Sequence, residues 1–150
     1  MASMDGFWPD LLALIHRSFA YMDDRIDPPS SLHRLRADTL AAKAETEICL
    51  LAHDRDEVLG CVFCKAGDTS LYIGKLAVDP SQQGRSIGRQ LMEAAEQQAR
   101  DLSLPALMLE TRIELTENHA TFAKMGFRKI GETCHPGYNR PTSITMQKDL

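Results

Sequence analysis

Leu11, Leu12, Ile15 and Phe19 recur at helical spacing after the turn-prone Pro9, so the chain from Trp8 predicts an amphipathic first helix. Beyond the breaker Asp27-Pro28-Pro29, Ser30 or Ser31 is placed to cap a second helix running to about Ala44 on the weaker stripe Leu32, Leu35, Leu40. The period then changes. Residues 47–52 and 57–65 are short apolar runs joined by His53-Asp54-Arg55-Asp56, a polar turn of hairpin length. A third run, residues 70–78, follows the turn Ala66-Gly67-Asp68-Thr69 and stops at Asp79-Pro80, which predicts a three-stranded antiparallel meander.

From about Arg85 to Leu102, Ile87, Leu91, Ala94, Ala95 and Leu102 mark one side of a long helix whose other side carries Glu93, Glu96, Gln97 and Arg100. Residues 106–111 follow as a strand, residues 116–125 as a helix stopped by Gly126, and residues 127–134 and 142–148 as strands around the loop 135–141. The order ααβββαβαββ, with short connections and no repeat, predicts one α/β (α+β) domain over residues 1–150.

Composition changes this picture little. With 43% hydrophobic and 25% charged residues the chain is an ordinary globular sequence, and a formal charge of -4 with scattered basic residues argues against a nucleic-acid partner. No apolar run reaches the roughly 20 residues that span a bilayer, and the first residues lack a signal-peptide pattern, so a cytoplasmic protein without a membrane partner is expected. Cys61 and Cys64 form a CxxC, but within a strand residues three apart face opposite sides, so two core thiols are favoured over a metal or redox pair. The five histidines show no ligand spacing, and no metal is expected.

The most informative stretch joins the third strand to the long helix: Val78-Asp79-Pro80-Ser81-Gln82-Gln83-Gly84-Arg85-Ser86-Ile87-Gly88-Arg89. A helix start offers unpaired N–H groups and the positive end of the helix dipole, and small residues let an anion come close to that backbone. Gly84, Ser86 and Gly88 are those small positions; Arg85 and Arg89 add positive charge. The stretch has neither the Gly-Lys-Ser/Thr ending of a P-loop nor GxGxxG followed by an acidic residue about 20 positions on.

Gln83-Gly84-Arg85-Ser86-Ile87-Gly88 resembles the coenzyme-binding signature of the GNAT superfamily of acyl-CoA-dependent N-acetyltransferases. Leu76-Ala77-Val78-Asp79-Pro80 resembles the preceding strand of that family, and Phe122-Ala123-Lys124-Met125-Gly126-Phe127 its later helix and Gly-Phe strand start. The resemblance covers roughly residues 47–150. It implies a mixed, mostly antiparallel sheet with helices on both faces, acetyl-CoA as co-substrate, transfer to a primary amine of a small molecule or peptide by direct attack on the thioester, and a homodimer. It also implies that backbone of Leu76, Ala77 and Val78 meets the pantetheine arm, and that amides of residues 83–89 hold the pyrophosphate, with side chains of Gln83 and Arg85 adding contacts. Ser86 departs from the family's central glycine, and the first helix leaves residues 3–7 as at most a stub of the family's opening strand.

Acyl transfer needs a neutral amine, a polarised carbonyl and a proton for the leaving thiolate. A backbone N–H near Val78 is a candidate for the carbonyl. The family's usual tyrosine is replaced by Phe122, which cannot give a proton, and its helix-start asparagine by Leu115, with Asn118 and His119 one turn later as substitutes. Candidates for the proton chemistry are Tyr72, on the face of Val78 by period two, and His135 and Tyr138 in the loop 135–141. Asp23, Asp24 and Asp27 could recruit a cationic amine; Glu110 sits near a strand end. A non-catalytic acyl-CoA-binding module is the alternative reading, and a scaffold with a purely structural turn is the third.

Overall fold

The computed structural model describes residues 7–82 and 84–150, with the side chains of Ser31 and Leu32 also outside the description. Six strands, β1 (Ile48–Asp54), β2 (Glu57–Ala66), β3 (Leu71–Val78), β4 (Ala106–Arg112), β5 (Arg128–Thr133) and β6 (Ser143–Asp149), form one sheet in the order β1-β2-β3-β4-β6-β5. Four of the five pairings are antiparallel and only β3 with β4 is parallel. The crossover between those two strands is the long helix α3 (Ile87–Asp101).

Each face of the sheet has its own core. Alternation along β2 sends Val62 and Cys64 to one side, where they pack with Ile87, Leu91, Met92, Ala95 and Ala99 of α3. Cys61 and Phe63 point the other way, onto Leu11, Leu14 and Ile15 of α1 (Phe7–Phe19) and Leu40 of α2 (Ala37–Thr46). Full burial of side chains such as Phe63, Ile15 and Leu40 contributes about 2 kcal/mol each to holding the layers together. The two thiols of the CxxC therefore lie in different cores, as strand geometry requires, and burial pushes both up to about 12.

The second helix is shorter than its sequence suggests. Residues 31–34 make a 3-10 turn, Arg36 is extended, and α2 begins at Ala37, so neither Ser30 nor Ser31 caps it. Arg36 instead turns its guanidinium onto Asp38 in the first turn, at 3.2 Å. The long helix likewise starts two residues later than expected, because Ser86 is left-handed. Helix α1 begins at Phe7, and the rest of the expected stub, residues 3–6, lies outside the described residues.

One irregularity positions the functional site. β3 pairs with β4 only through Leu71, Tyr72 and Ile73, opposite Leu107, Met108 and Leu109. On its other side, Cys64 faces Ile73 and Val62 faces Leu76, so Gly74 and Lys75 together oppose Phe63. This is a β-bulge, and it bends β3 away from β4 where their pairing ends. Glycine fits there because a Cβ at residue 74 would stand 3.3 Å from the Phe63 carbonyl oxygen. Beyond Ile73 the two strands form an open wedge, with α4 (Thr116–Lys124) placing Asn118 and Phe122 beside it.

Candidate active site

A cleft of about 620 Å³ runs from the start of α3 to the wedge, lined by Leu76 and Val78 of β3, Gly84, Ser86, Ile87 and Gly88 of the turn, and Asn118 and Phe122 of α4. At its outer end, Asp79 shapes the turn: its carboxylate accepts from the Ser81 N–H at 3.0 Å and the Ser81 hydroxyl at 2.9 Å, and from Arg17 at 3.0 Å. Those bonds hold its carboxyl below the usual range. Gly84 has φ +86° with nothing within 4 Å of a Cβ position, and Ser86, the residue before the helix, has φ 61°. The first intrahelical bond is Gln90 N–H to the Ser86 carbonyl, so the amides of Ile87, Gly88 and Arg89 precede it and have no acceptor among the described residues. The Ser86 hydroxyl makes no capping bond. Three free amides at the positive end of a 15-residue helix give this end of the cleft a positive electrostatic character.

Inward, a constriction of about 140 Å³ is lined by Phe19, Gly74, Leu76, Glu110, Asn118 and Phe122 among others. It shares Gly74, Glu110, Thr111 and Arg112 with a second cavity of about 390 Å³ on the α1/α2 face. That cavity holds Tyr72 and His135. Cleft, constriction and cavity are thus neighbours that share wall residues along the wedge between β3 and β4.

A family model described as the acetyltransferase (GNAT) family matches residues 8–127. The chain belongs to that family. This acetyltransferase is 32% identical over 142 residues to a protein named IAA acetyltransferase from Azospirillum brasilense, covering 93% of this chain and 90% of the relative. Its fold is similar to the PaiA N-acetyltransferase of Thermoplasma acidophilum, solved with coenzyme A (TM-score 0.79, 14% identity, 99% and 96% of the two chains). It is also similar to the ribosomal-protein-S18-alanine N-acetyltransferase of Escherichia coli (TM-score 0.67, 18% identity, 99% and 90%).

Within the acetyltransferase, the residues expected at the coenzyme divide. Leu76, Val78, Gly84, Ser86, Ile87, Gly88, Asn118 and Phe122 line the cleft. Ala77 does not: its side chain is buried in the α1/α2 core and its backbone pairs with Cys61. Arg85 lies outside the cleft lining with its guanidinium on Gln82 at 2.6 Å, and Arg89 faces Glu93 at 4.0 Å. Because α3 starts at Ile87, the two arginines do not share a helix face. Gln83 lies outside the described residues. The Val78 N–H, expected to polarise a carbonyl, donates to the Ser18 hydroxyl at 3.2 Å.

The three residues named for proton chemistry also separate. Tyr72 is not on the face of Val78. The extra residue in β3 reverses the alternation, so Leu71, Ile73, Leu76 and Val78 share the α3 face while Tyr72 lines the opposite cavity. Burial, with Glu110 and Glu47 nearby, raises its pKa, which favours a protonated phenol. His135 stands in the same cavity. Its backbone N–H and Nδ1 both contact the Thr142 hydroxyl oxygen, and that hydroxyl donates to the Thr133 carbonyl at 3.3 Å. A hydroxyl with its one proton so used accepts from Nδ1–H, which leaves Nε2 with the lone pair. Burial and the neighbouring Arg112 lower the His135 pKa, so the ring is neutral near pH 7. Tyr138 does not reach the cavity: its hydroxyl donates to Asp27 at 2.7 Å and its ring lies 5.3 Å from the Arg140 guanidinium. Asp27 also accepts from Arg140 at 3.0 Å, and Asp23 contacts His33 at 3.0 Å, so neither is a free acceptor-recruiting carboxylate. His119 contacts the Arg112 carbonyl at 2.9 Å instead of entering the cleft.

The sequence did not single out Tyr21. Tyr21, in the 3-10 turn Ala20–Met22, lines the cleft, and its hydroxyl accepts from the Asn118 side-chain amide at 3.0 Å. Arg25 fixes this segment to α4 through a two-pronged pair with Glu117, whose carboxyl it holds down at about 2. The contact joins residues 97 apart, and no spacing along the chain reveals it.

Proposed function

We propose that this acetyltransferase carries the acetyl group of acetyl-CoA to the nitrogen of a primary amine, by direct attack of that nitrogen on the thioester. The observation that carries the reading is the wedge: free amides at the start of α3 border the first of three adjoining hollows that share wall residues, and a neutral histidine stands in the last. The turn fits a pyrophosphate, since free amides converge on it and the space over Gly84 is open. Bound there, the coenzyme supplies an activated thioester carbonyl. Leu76 and Val78 of the unpaired β3 edge orient its arm. His135 Nε2 takes a proton from the acceptor's ammonium, directly or through a water, so that the neutral nitrogen attacks, and the Tyr21 hydroxyl, held by Asn118, gives one to the departing sulfur in place of the absent tyrosine at Phe122. Tyr72 serves as a hydrogen-bond donor to the acceptor. The homodimer implied by the family resemblance stays part of this proposal and is checked by sedimentation.

Calorimetric titration with acetyl-CoA, followed by coenzyme-thiol release with a panel of amines, tests the reading. Saturable binding and amine-dependent release are expected; absence of binding together with no thermal stabilisation at saturating acetyl-CoA would overturn it.

A further inference from the structure

Charge in the inner cavity narrows the acceptor. Six ionisable groups that dominate its wall are Lys43, Lys65, Lys75, Arg112, Glu47 and Glu110, four cationic and two anionic. Lys43 is paired with Glu47 at 2.5 Å. Arg112 donates to the carbonyls of Pro28 and Pro29 at 2.8 and 3.3 Å, which fixes the guanidinium without cancelling its charge. Lys65 and Lys75 have no hydrogen-bond or ion-pair partner among the described residues. Lys75 is the unusual one. It belongs to the β3 bulge and is partly buried; desolvation and the nearby Lys43 disfavour its ammonium, and Glu47, already paired with Lys43, offsets them only in part. Two partly buried lysines, Lys43 and Lys75, thus share the one carboxylate of Glu47, and a ligand anion supplies the negative charge this corner lacks.

Position gives the ligand a direction. Glu110 borders both the constriction and the cavity, whereas Lys75 and Lys65 border the cavity alone. An acceptor whose ammonium faces Glu110 and whose anion faces Lys75 therefore has its nitrogen on the side from which the thioester is reached. A polycationic amine meets four cationic groups against two carboxylates on the same wall.

On the acetyl-transfer reading above, we infer that the acceptor is an amine that carries its own carboxylate, of the α-amino-acid class, and that Lys75 binds that carboxylate. The test compares α-amino acids with their matched carboxamides and decarboxylated amines in coenzyme-thiol release. Expected is a kcat/KM at least roughly tenfold higher for the carboxylates, a ratio that falls to about one in Lys75→Gln through KM and is retained in Lys75→Arg. Carboxamides or decarboxylated amines used as well as the carboxylates, or a ratio unchanged in Lys75→Gln, would overturn it. Acetyl-CoA calorimetry on each variant reports folding and keeps the two readings separate. If acetyl-CoA does not bind, or binds with no thiol release from any amine, the acetyl-transfer reading fails, and direct titration of the same amino acids decides this one. Binding that weakens about tenfold in Lys75→Gln supports the carboxylate site, and no binding to the wild type removes it.

Discussion

The outer cleft and the inner cavity, joined through one constriction, are built in opposite ways. The cleft's outer end comes from one short stretch of chain and presents backbone amides of Ile87, Gly88 and Arg89 beside two left-handed residues, Gly84 and Ser86. The cavity draws Lys43, Tyr72, Glu110 and His135 from four separate segments and works through side chains. A backbone cradle recognises what every family member shares and leaves a local trace in sequence. A side-chain cavity assembled over long separations is free to differ, and the proposed mechanism gives it the choice of acceptor. Substitutions in the first region should therefore change coenzyme affinity, and substitutions in the second should change turnover or acceptor choice.

The sharpest way to break that division is Gly84→Glu. It forces an L-residue into φ +86° and places a carboxylate where the cradle awaits an anion. Acetyl-CoA affinity should fall at least about 100-fold by calorimetry, a loss that like charge and strain together can supply. Retained affinity would mean that the coenzyme does not use this turn.

From the cavity side, His135→Gln should lower kcat by roughly 100-fold while acetyl-CoA affinity stays within about twofold. The pH profile supplies the sign. A base acts unprotonated, so the rate climbs as pH rises through the His135 pKa and levels off above it. Because that pKa is lowered from 6.5, the plateau is reached by pH 7, and the variant should lack this acid limb. An unchanged limb in His135→Gln would assign the base elsewhere. Tyr21→Phe belongs between the regions, since Tyr21 lines the cleft but its proposed role is in turnover. A kcat loss of about tenfold is expected, and a change confined to coenzyme affinity would make Tyr21 a binding residue only.

How much of this was legible follows the same division. The meander, the long helix and the glycine-containing turn before it rest on local period and local residue type, and the structure has these elements. The bulge at Gly74 and Lys75 is different. It adds one residue relative to a partner strand, so only the register with β2 exposes it, and it reverses the face of Tyr72 against a simple period of two. Gly74 inside a strand pattern was the available signal. Tyr138 was legible as a loop tyrosine but its capture by Asp27, 111 residues away, was not. The contact of Tyr21 with Asn118 was hidden for the same reason. The break in the second helix at Arg36 had no marker at all, since neither Gly nor Pro stands there.

Ser86 gives the smallest effect and the finest test of the cradle, because two consequences of one substitution have opposite signs. A serine at φ 61° carries the left-handed penalty of an L-residue, on the order of 1 kcal/mol. Ser86→Gly removes that strain but gives the unfolded chain more freedom, so a net stabilisation of about 0.5 kcal/mol is expected in denaturant unfolding of the coenzyme-free protein. The hydroxyl has no partner capping the helix, so its loss costs the empty fold nothing. If that hydroxyl donates to the bound pyrophosphate, Ser86→Gly should weaken acetyl-CoA several-fold even as the protein becomes more stable. If the serine is only a tolerated replacement for glycine, stability and affinity rise together. Opposite movement of the two measurements therefore assigns the hydroxyl to the coenzyme, and parallel movement assigns the whole cradle to the backbone.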